Sequence, residues 1–326
     1  MTRRFAALLF LALSTLWPCA ATADDAPKAP ARVIAGVFVN GLQDLSFKDS
    51  KYVLDFYIWF RWKPGTVPED FKPLEAFEVI NGRIDNKSSI VEKTIGGEQY
   101  ASARVLATIN EVWDLRRFPF DQHRPRVHIE NSAADATTML FVADRDNSRL
   151  GDEIRLSGWK VSNFGLDVAT QVYKSNYGDV SLPTNAESSY SRLTFAMDME
   201  HEGNGIAFKI LTIVIVSTLV AFVGFLIKPT DLDPRFGLGI GALFAIAASW
   251  FIVSSLVPDS SVLTLADQIH VIAMAMVFAS VVVSARILWH AEAGREQRAE
   301  KLDRLCVMVF PIVFIGACIA AGLLAR

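Results

Sequence analysis

The chain has 326 residues, of which 52% are hydrophobic, and its formal net charge is −3. This hydrophobic share is high for a soluble protein and predicts that part of the chain lies in a membrane. A mild excess of acidic over basic residues between 24 and 204 argues against a nucleic-acid partner.

The N-terminus predicts export. Residues 1–23 have a basic start, an apolar run and an Ala-Thr-Ala sequence that ends at Ala23, which is the layout of a cleaved secretory signal. Of the three cysteines, Cys19 lies in this signal, and Cys306 and Cys318 lie in the last apolar segment. The exported part therefore has no cysteine to form a disulfide, and its stability must come from a hydrophobic core of its own.

Residues 24–204 are predicted to form an all-β sandwich. Short segments rich in Val, Ile, Phe, Tyr and Thr follow one another from 32 to 202, and apolar and polar residues alternate in several of them, as at 193–200. Stretches of turn-forming residues separate these segments. No convincing helical pattern lies between them, which favours two packed sheets.

Residues 205–326 contain four apolar segments, each close to the length of about 20 residues that a helix needs to cross a bilayer. The loop after the third segment carries Arg295, Arg298 and Lys301, whereas the loop after the second has no Lys or Arg. Because basic loops stay in the cytoplasm, the loop after the third segment is predicted to be cytoplasmic, in agreement with an exported N-terminal domain. The predicted transmembrane helices are 206–227, 236–257, 265–289 and 305–324.

Motifs of enzymes are missing from the sequence. It contains no metal-ligand spacing, nucleophile motif or phosphate-binding loop, and its cytoplasmic side is predicted to consist of short loops. We therefore predict a protein that is not an enzyme and that has no cofactor and no metal site.

Five short motifs follow one another along the exported and apolar parts. They are YVLDFYIWFRW at 52–62, FPFD at 118–121, SGWKV at 157–161, LGI at 238–240 and LVP at 256–258. With these motifs in this order, the chain resembles the bacterial members of the pentameric ligand-gated ion channels, the Cys-loop receptor superfamily. The resemblance implies an Ig-like sandwich of the nicotinic-receptor ligand-binding type, a four-helix transmembrane bundle and a homopentamer. It also implies a bacterial inner membrane, with the N-terminal domain in the periplasm.

A stripe of small and apolar residues, spaced mainly three and four apart, follows one face of the second apolar segment. One interpretation is a Gly-xxx-Gly contact that lets two helices approach closely, and the other is a pore lining. The resemblance implies the pore, with five copies of the helix around an axis and apolar constrictions at Phe244 and Phe251. The residues of this predicted pore stripe are Gly237, Gly241, Phe244, Ala248, Phe251, Ile252 and Ser255.

The start of the same helix carries candidate selectivity residues of both signs. Asp231 and Asp233 would form acidic rings at the cytoplasmic mouth and select cations. Pro234 and Arg235 instead resemble the helix start of anion-selective relatives, because cation-selective relatives usually place Glu where this chain has Pro234. The acidic exported domain and the bacterial relatives favour cations.

The resemblance places gating at the contact between the sandwich and the helices. The turn at 46–49 and the FPFD turn would press on the outer loop at 258–264. Asp121 either caps its own turn or makes a charge contact, yet many relatives carry an Arg where this chain has MEHEGNG at 199–205, so we expect Asp121 to lack its partner. The gating residues that the resemblance implies are Phe47, Asp49, Phe118, Pro119, Phe120, Asp121 and Pro258.

The resemblance implies an agonist site between subunits, lined by aromatic residues. Tyr57 matches one aromatic position of the relatives, and Tyr173, Tyr177 and Tyr190 flank a loop that resembles the flap closing over the ligand. Aromatic faces attract cationic amines, but Ile80 stands where receptors often have an aromatic residue, so the ligand class stays open. Protons are an alternative ligand, since histidine titrates near neutrality. The histidines considered for this role are His123, His128, His201 and His270.

The sequence thus predicts a ligand-gated ion channel whose central pore opens when an agonist binds the periplasmic domain. Its partners would be four further copies of the chain, the lipid bilayer, a small-molecule agonist or protons, and permeant inorganic ions, with cations favoured. The alternative is a membrane-anchored periplasmic ligand sensor that conducts nothing. A pentamer in mild detergent would favour the channel, and a monomer or dimer would favour the sensor.

Overall fold

The computed structural model describes residues 29–178, 180, 183, 186–259 and 262–325. These residues form a β-rich N-terminal domain followed by four long apolar helices, which confirms the predicted order of the two parts. The secretory signal predicted at 1–23 lies outside the described residues.

The strands of the N-terminal domain form two sheets. In chain order the strands are β1 (Ala31–Ser46), β2 (Lys51–Trp62), β3 (Phe77–Val79), β4 (Gly82–Ile95), β5 (Glu98–Asn110), β6 (Gln122–His123), β7 (Arg126–Asn131), β8 (Met139–Ala143), β9 (Arg149–Leu150), β10 (Trp159–Tyr173) and β11 (Ser188–His201), with a single-turn helix α1 (Pro73–Ala76) before β3. The first sheet has the order β4-β5-β2-β1-β8, and β9 also pairs with β1. The second sheet has the order β10-β11-β7-β3, and β6 also pairs with β11.

Alternation along the strands builds one core between the two sheets. In β2 every second side chain is buried, because successive side chains of a strand point to opposite faces of its sheet. Phe56 of β2 meets Phe195 of β11 with ring centroids 5.4 Å apart, so the first sheet packs against the second at this level. The fully buried side chains of β2 are Tyr52, Leu54, Phe56, Ile58 and Phe60.

Four helices that are long and apolar enough to cross a membrane follow the sheets. They are α2 (Gly205–Val223), which a 3₁₀ turn (Gly224–Leu226) extends, α3 (Leu232–Leu256), α4 (Leu265–Glu292) and α5 (Glu296–Leu324). Two of them begin earlier than the apolar segments predicted: α3 begins at Leu232 rather than at 236, and α5 at Glu296 rather than at 305. The added turns are rich in charged residues, and backbone hydrogen bonding continues the helix beyond its apolar part.

Much of the helical surface is apolar and exposed. In the most apolar window of each helix, only 11% to 33% of the residues are buried within the chain, and the lowest value belongs to α5. Exposed apolar surface of this extent requires a cover of lipid or of further protein chains. The helices are therefore suited to a membrane, with α3 packed between α2 and α4 and with α5 against α4.

Candidate functional site

The pore stripe lies on the exposed face of α3. Phe244 and Phe251 are 74% and 77% exposed in the single chain, and Ile252 is 53% exposed. The remaining stripe residues, Gly237, Gly241, Ala248 and Ser255, are exposed as well. The opposite face of α3 packs inside the bundle through Gly239, Ala242, Ile246, Ser249 and Val253.

Close packing of α3 occurs at Gly239 and not at the glycines of the stripe. A Cβ atom at Gly239 would lie 2.6 Å from Cγ2 of Val281 in α4, so a larger residue there requires Val281 or α3 to shift. A Cβ atom at Gly237 or Gly241 would have no atom of the described residues within 4 Å. The Gly-xxx-Gly contact considered for the stripe is therefore not made between helices of one chain.

The two acidic residues at the start of α3 are exposed, whereas the arginine is buried. Arg235 donates from Nη2 to Asp303 Oδ1 at 2.6 Å, from Nη1 to Asp303 Oδ2 at 3.2 Å and to the Ile227 carbonyl oxygen at 2.8 Å. Its side chain is 0% exposed, so α5 holds its charge inside the bundle. The sequence analysis offered Arg235, together with Pro234, as the anion-selective alternative, and the structure buries its charge against Asp303. Asp231, Asp233 and Pro234 are exposed at the start of α3.

Backbone hydrogen bonds join the FPFD loop to α4. The N–H of Leu265 donates to the carbonyl oxygen of Arg116 at 2.9 Å, and the N–H of Ala266 donates to that of Phe118 at 3.1 Å. The first N–H groups of a helix lack partners within the helix, and here the loop of the sandwich supplies acceptors for two of them. Thr264 and Asp267 complete the helix start with a reciprocal capping box.

Asp121 has two histidine partners in place of the arginine that many relatives carry and that the sequence analysis expected it to lack. Its Oδ2 atom bonds to Nε2 of His123, and its Oδ1 atom lies 3.3 Å from Nε2 of His201. Burial alone would raise the pKa of Asp121, but hydrogen bonds from the two imidazoles outweigh burial and lower this pKa to about 2. His201 is the last residue of β11, just before the first membrane helix. The histidine at the end of MEH thus provides a contact that the sequence analysis sought only from an arginine.

The other predicted gating residues differ in burial and in their contacts. The rings of Phe47 and Phe118 lie 6.4 Å apart between centroids, and Phe118 and Pro119 are buried. Phe120 is 40% exposed, so it is not packed within the chain. Asp49 accepts from the Ser46 hydroxyl, and Pro258 lines a cavity of about 520 Å³ between the loop after β5 and the start of α4.

Three of the four predicted ligand tyrosines form a cluster on the second sheet. The ring centroids of Tyr173, Tyr177 and Tyr190 lie 5.9 to 6.5 Å from one another. Tyr57 belongs to β2 of the first sheet, where Arg104 stands 5.9 Å from its ring centroid. Tyr57 and the cluster therefore lie on different sheets, and Tyr57 makes no ring contact with the cluster among the described residues.

An ion pair missed by the sequence analysis supports the tyrosine cluster. Arg192 donates from Nε to Glu130 Oε1 at 2.6 Å and from Nη2 to the Tyr173 hydroxyl at 2.7 Å, and this hydroxyl donates to Glu130 at 3.0 Å. Burial and the charge of Glu130 raise the pKa of Tyr173. The sequence did contain a signal for this contact: residues two apart in a strand point to the same face, so Arg192 lies beside Tyr190 on one face of β11.

The remaining histidines lie apart from Asp121. His128 of β7 has Nδ1 2.9 Å from the Thr194 hydroxyl, and burial followed by the charges of Arg192 and Arg126 lowers its pKa. His270 of α4 contacts the Ser249 hydroxyl at 3.0 Å. Across the part of the chain that the structure describes, no group of three or more His, Cys, Asp or Glu side chains could hold a metal ion.

No protein-family model and no curated protein matches the chain.

Proposed function

We propose that the chain is one subunit of a homopentameric ligand-gated cation channel. The N-terminal domain would be an Ig-like sandwich of the nicotinic-receptor type in the periplasm, and the helices would lie in a bacterial inner membrane. The observation that carries this proposal is the exposed face of α3, where the whole pore stripe is open while the opposite face is packed. A stripe around a shared axis accounts for two glycines at which an added Cβ would meet no described residue, Gly237 and Gly241, and for two large exposed phenyl rings, Phe244 and Phe251, on the same face.

Five copies of α3 would place Phe244 and Phe251 in two apolar rings. Such a ring stops ions by excluding water, without filling the channel. An agonist that binds the open state more tightly than the closed state then shifts the closed–open equilibrium toward the open state. The size of the shift is set by the ratio of its affinities for the two states.

The charges at the start of α3 support conduction of cations. Asp303 neutralises Arg235 inside each subunit, so the positive charge is withdrawn from the mouth. Asp231 and Asp233 are exposed and would give rings of negative charge in a pentamer. Acidic rings attract cations and repel anions.

The tyrosines support an agonist with a cationic group, bound between subunits. Tyr173, Tyr177 and Tyr190 of one subunit would face Tyr57 of the next, since these residues lie on different sheets of one chain. Ring faces attract a cation. Burial raises the pKa of Tyr190, and so do the charges of Asp135, Glu130 and Glu78, which indicates an acidic surrounding that also favours a cation.

The test is to widen the apolar ring and to measure current across a planar bilayer under a salt gradient. Phe244→Ala is expected to raise the current without ligand about tenfold, equivalent to about 1.4 kcal/mol in the closed–open equilibrium. The reversal potential is expected to approach that of the cation. Phe278→Ala is the control, because Phe278 is a 63% exposed phenylalanine of α4 outside the stripe, and its current should match that of the wild type.

The opposing results are equally specific. An unchanged current in Phe244→Ala, with pentamers present by size-exclusion chromatography, would remove the pore stripe from a conduction path. A monomer or dimer without current would favour the membrane-anchored sensor. A reversal potential near that of the anion would move selectivity away from Asp231 and Asp233.

A further inference from the structure

Asp121, His123 and His201 form a compact ionisable group, called the junction triad below. Both carboxylate oxygens are used, one by each imidazole Nε2 atom. The side chains of Asp121, His123 and His201 are only 2%, 5% and 12% exposed. Three titratable side chains are thus held together almost out of contact with water.

Hydrogen-bond chemistry shows where an added proton goes. With its low pKa, Asp121 is ionised at neutral pH, and an ionised carboxylate only accepts hydrogen bonds. Each histidine Nε2 atom must therefore carry a hydrogen, and a further proton binds at Nδ1 of a ring. The charge of the triad is −1 with no added proton, 0 with one and +1 with two.

Aromatic rings surround the two imidazoles. The ring centroids of Trp159 and His201 lie 3.8 Å apart, and those of Trp113 and His123 lie 5.1 Å apart. Phe47 adds a third ring at 5.3 Å from His123. Aromatic faces stabilise a cation that has lost water, so this environment suits a protonated imidazole. An unbalanced negative charge in a buried place raises the free energy of the folded state, and one proton on the triad balances the charge of Asp121.

The triad lies where two connections between the sandwich and the helices meet. Asp121 ends the FPFD turn, whose Phe118 carbonyl accepts from Ala266 of α4. His201 ends β11, and the chain enters α2 at Gly205. A protonated imidazole makes a stronger bond to a carboxylate than a neutral one does. Proton binding therefore strengthens the hydrogen bond that joins the FPFD turn, itself bonded to α4, to the end of β11, which leads into α2.

Other ionisable side chains lie on the elements around the triad, and several have partners of their own. Asp114 pairs with Arg116, and Asp267 accepts from the Trp250 indole and caps α4. Burial raises the pKa of Glu111, and the Arg116 side chain lowers that of Asp114, while the charge of His123 lowers the pKa of both carboxyls. Ionisable side chains of these elements include Lys48, Asp49, Glu111, Asp114, Arg116, Arg117, Arg124, Lys160, Asp198, Glu200, Glu202, Asp259 and Asp267.

We propose that the junction triad is a proton-binding site through which external pH sets the strength of the contact between the sandwich and the membrane helices. Its ligand is the proton, which moves from water to an imidazole Nδ1 atom, and no other reactant is needed. The binding of the proton is independent of conduction. Its effect on gating rests on the channel function proposed above.

Tryptophan fluorescence tests the site directly. An imidazolium in contact with an indole ring quenches its emission, and Trp159 stacks on His201. We expect the emission of the purified full chain to fall as pH is lowered from about 8 to 5, the range in which histidine titrates. The part of this transition that comes from the contact between Trp159 and His201 should be lost in His201→Asn, which keeps a hydrogen-bond donor for Asp121. The whole transition should be lost in His123→Asn/His201→Asn and kept in His128→Asn.

A second variant guards against loss of folding. Trp159→Phe keeps the aromatic ring and the histidine, and it should lose the same part of the fluorescence change. No transition in the wild type would overturn the proposal, as would a transition of unchanged amplitude in both His201→Asn and Trp159→Phe. The fluorescence result decides the proton site whether or not the protein conducts.

Current measurements test the effect on gating. In the Phe244→Ala background, the ligand-free current is expected to differ about tenfold between pH 8 and pH 5, a typical size for coupling between two sites. Adding His123→Asn and His201→Asn should remove this difference, and adding His128→Asn should not. Currents that do not depend on pH, beside an intact fluorescence transition, would overturn the coupling to gating and leave the channel function standing.

Discussion

Replacing Asp303 by asparagine is expected to destabilise the helix bundle, because it leaves Arg235 as an unpaired buried charge. The guanidinium makes two hydrogen bonds to this carboxylate and one to the carbonyl of Ile227. Its carbon atom lies 5.9 Å from the ring centroid of Phe225. In the wild type, Asp303 thus supplies the negative charge that balances this buried side chain.

The expected cost of this change is about 3–5 kcal/mol, the range for removing one member of a buried ion pair. Solvent screening reduces it little, since Arg235 and Asp303 are 0% and 12% exposed. The double variant Arg235→Gln/Asp303→Asn has no unbalanced charge. It is therefore expected to be more stable than Asp303→Asn and less stable than the wild type.

The assay is thermal unfolding of the three purified proteins in detergent, followed by the loss of the folded peak in size-exclusion chromatography. The order of the unfolding temperatures carries the result, because irreversible unfolding makes absolute values depend on the heating rate. Glu300→Gln is the matched control: this α5 carboxylate pairs with Arg304 at 3.4 Å, but the two side chains are 67% and 79% exposed, so little change is expected. Equal unfolding temperatures for Asp303→Asn and the wild type, or a double variant less stable than Asp303→Asn, would refute the reasoning.

Replacing Gly239 by valine is expected to force α3 away from Val281 and to cost about 1–3 kcal/mol, as overpacking of a close contact does. Gly316→Val is the control, since a Cβ there meets no described residue within 4 Å, and equal unfolding temperatures of the two variants would contradict the prediction. Acid is expected to remove the stabilisation given by Asp121, whose pKa is about 2 in the folded chain against a usual 3.8. The ionised carboxylate of Asp121 contributes fully to the free energy of unfolding above about pH 5, and this contribution is lost as pH falls toward 2. The difference in free energy of unfolding between the wild type and Asp121→Asn, measured in urea, should therefore shrink by about 2 kcal/mol. An advantage that stays constant over this range would contradict the assignment.

The fold was predictable to the extent that it depends on local periodicity. Alternation in β2 and the long apolar run of α3 both indicate their elements directly, because burial repeats with the period of the strand or fills the length of a membrane helix. The first turns of α5 were missed, since Glu296 and its charged neighbours interrupt the apolar pattern while the backbone remains helical. Hydropathy shows which part of a helix is apolar, but it does not show at which residue the helix begins.

The candidate sites were less predictable, because their decisive contacts join distant parts of the chain. Arg235 was one of the candidate selectivity residues, as the anion-selective alternative, but Asp303 on another helix holds it inside the bundle. Asp121 was expected to lack the arginine partner of relatives, and His201 at the end of β11 contacts it instead. In both cases a single sequence shows the charged residue and gives no sign of which distant side chain folds against it. The exposure of the pore stripe on α3 agrees with the pattern of residues, but its assignment to a pore stays a proposal.

The two hydrogen bonds between the FPFD loop and the start of α4 have a consequence for experiments that map the junction. Both run from backbone N–H to backbone carbonyl, so a substitution of Arg116, Phe118, Leu265 or Ala266 that keeps the local backbone leaves them intact. An alanine scan of this region would therefore under-report the strength of the attachment. Deleting one of the two donors requires removal of the backbone N–H itself, by proline or by an ester in place of the amide at Ala266. Divergent sequences can likewise keep the same attachment while sharing none of the side chains around it.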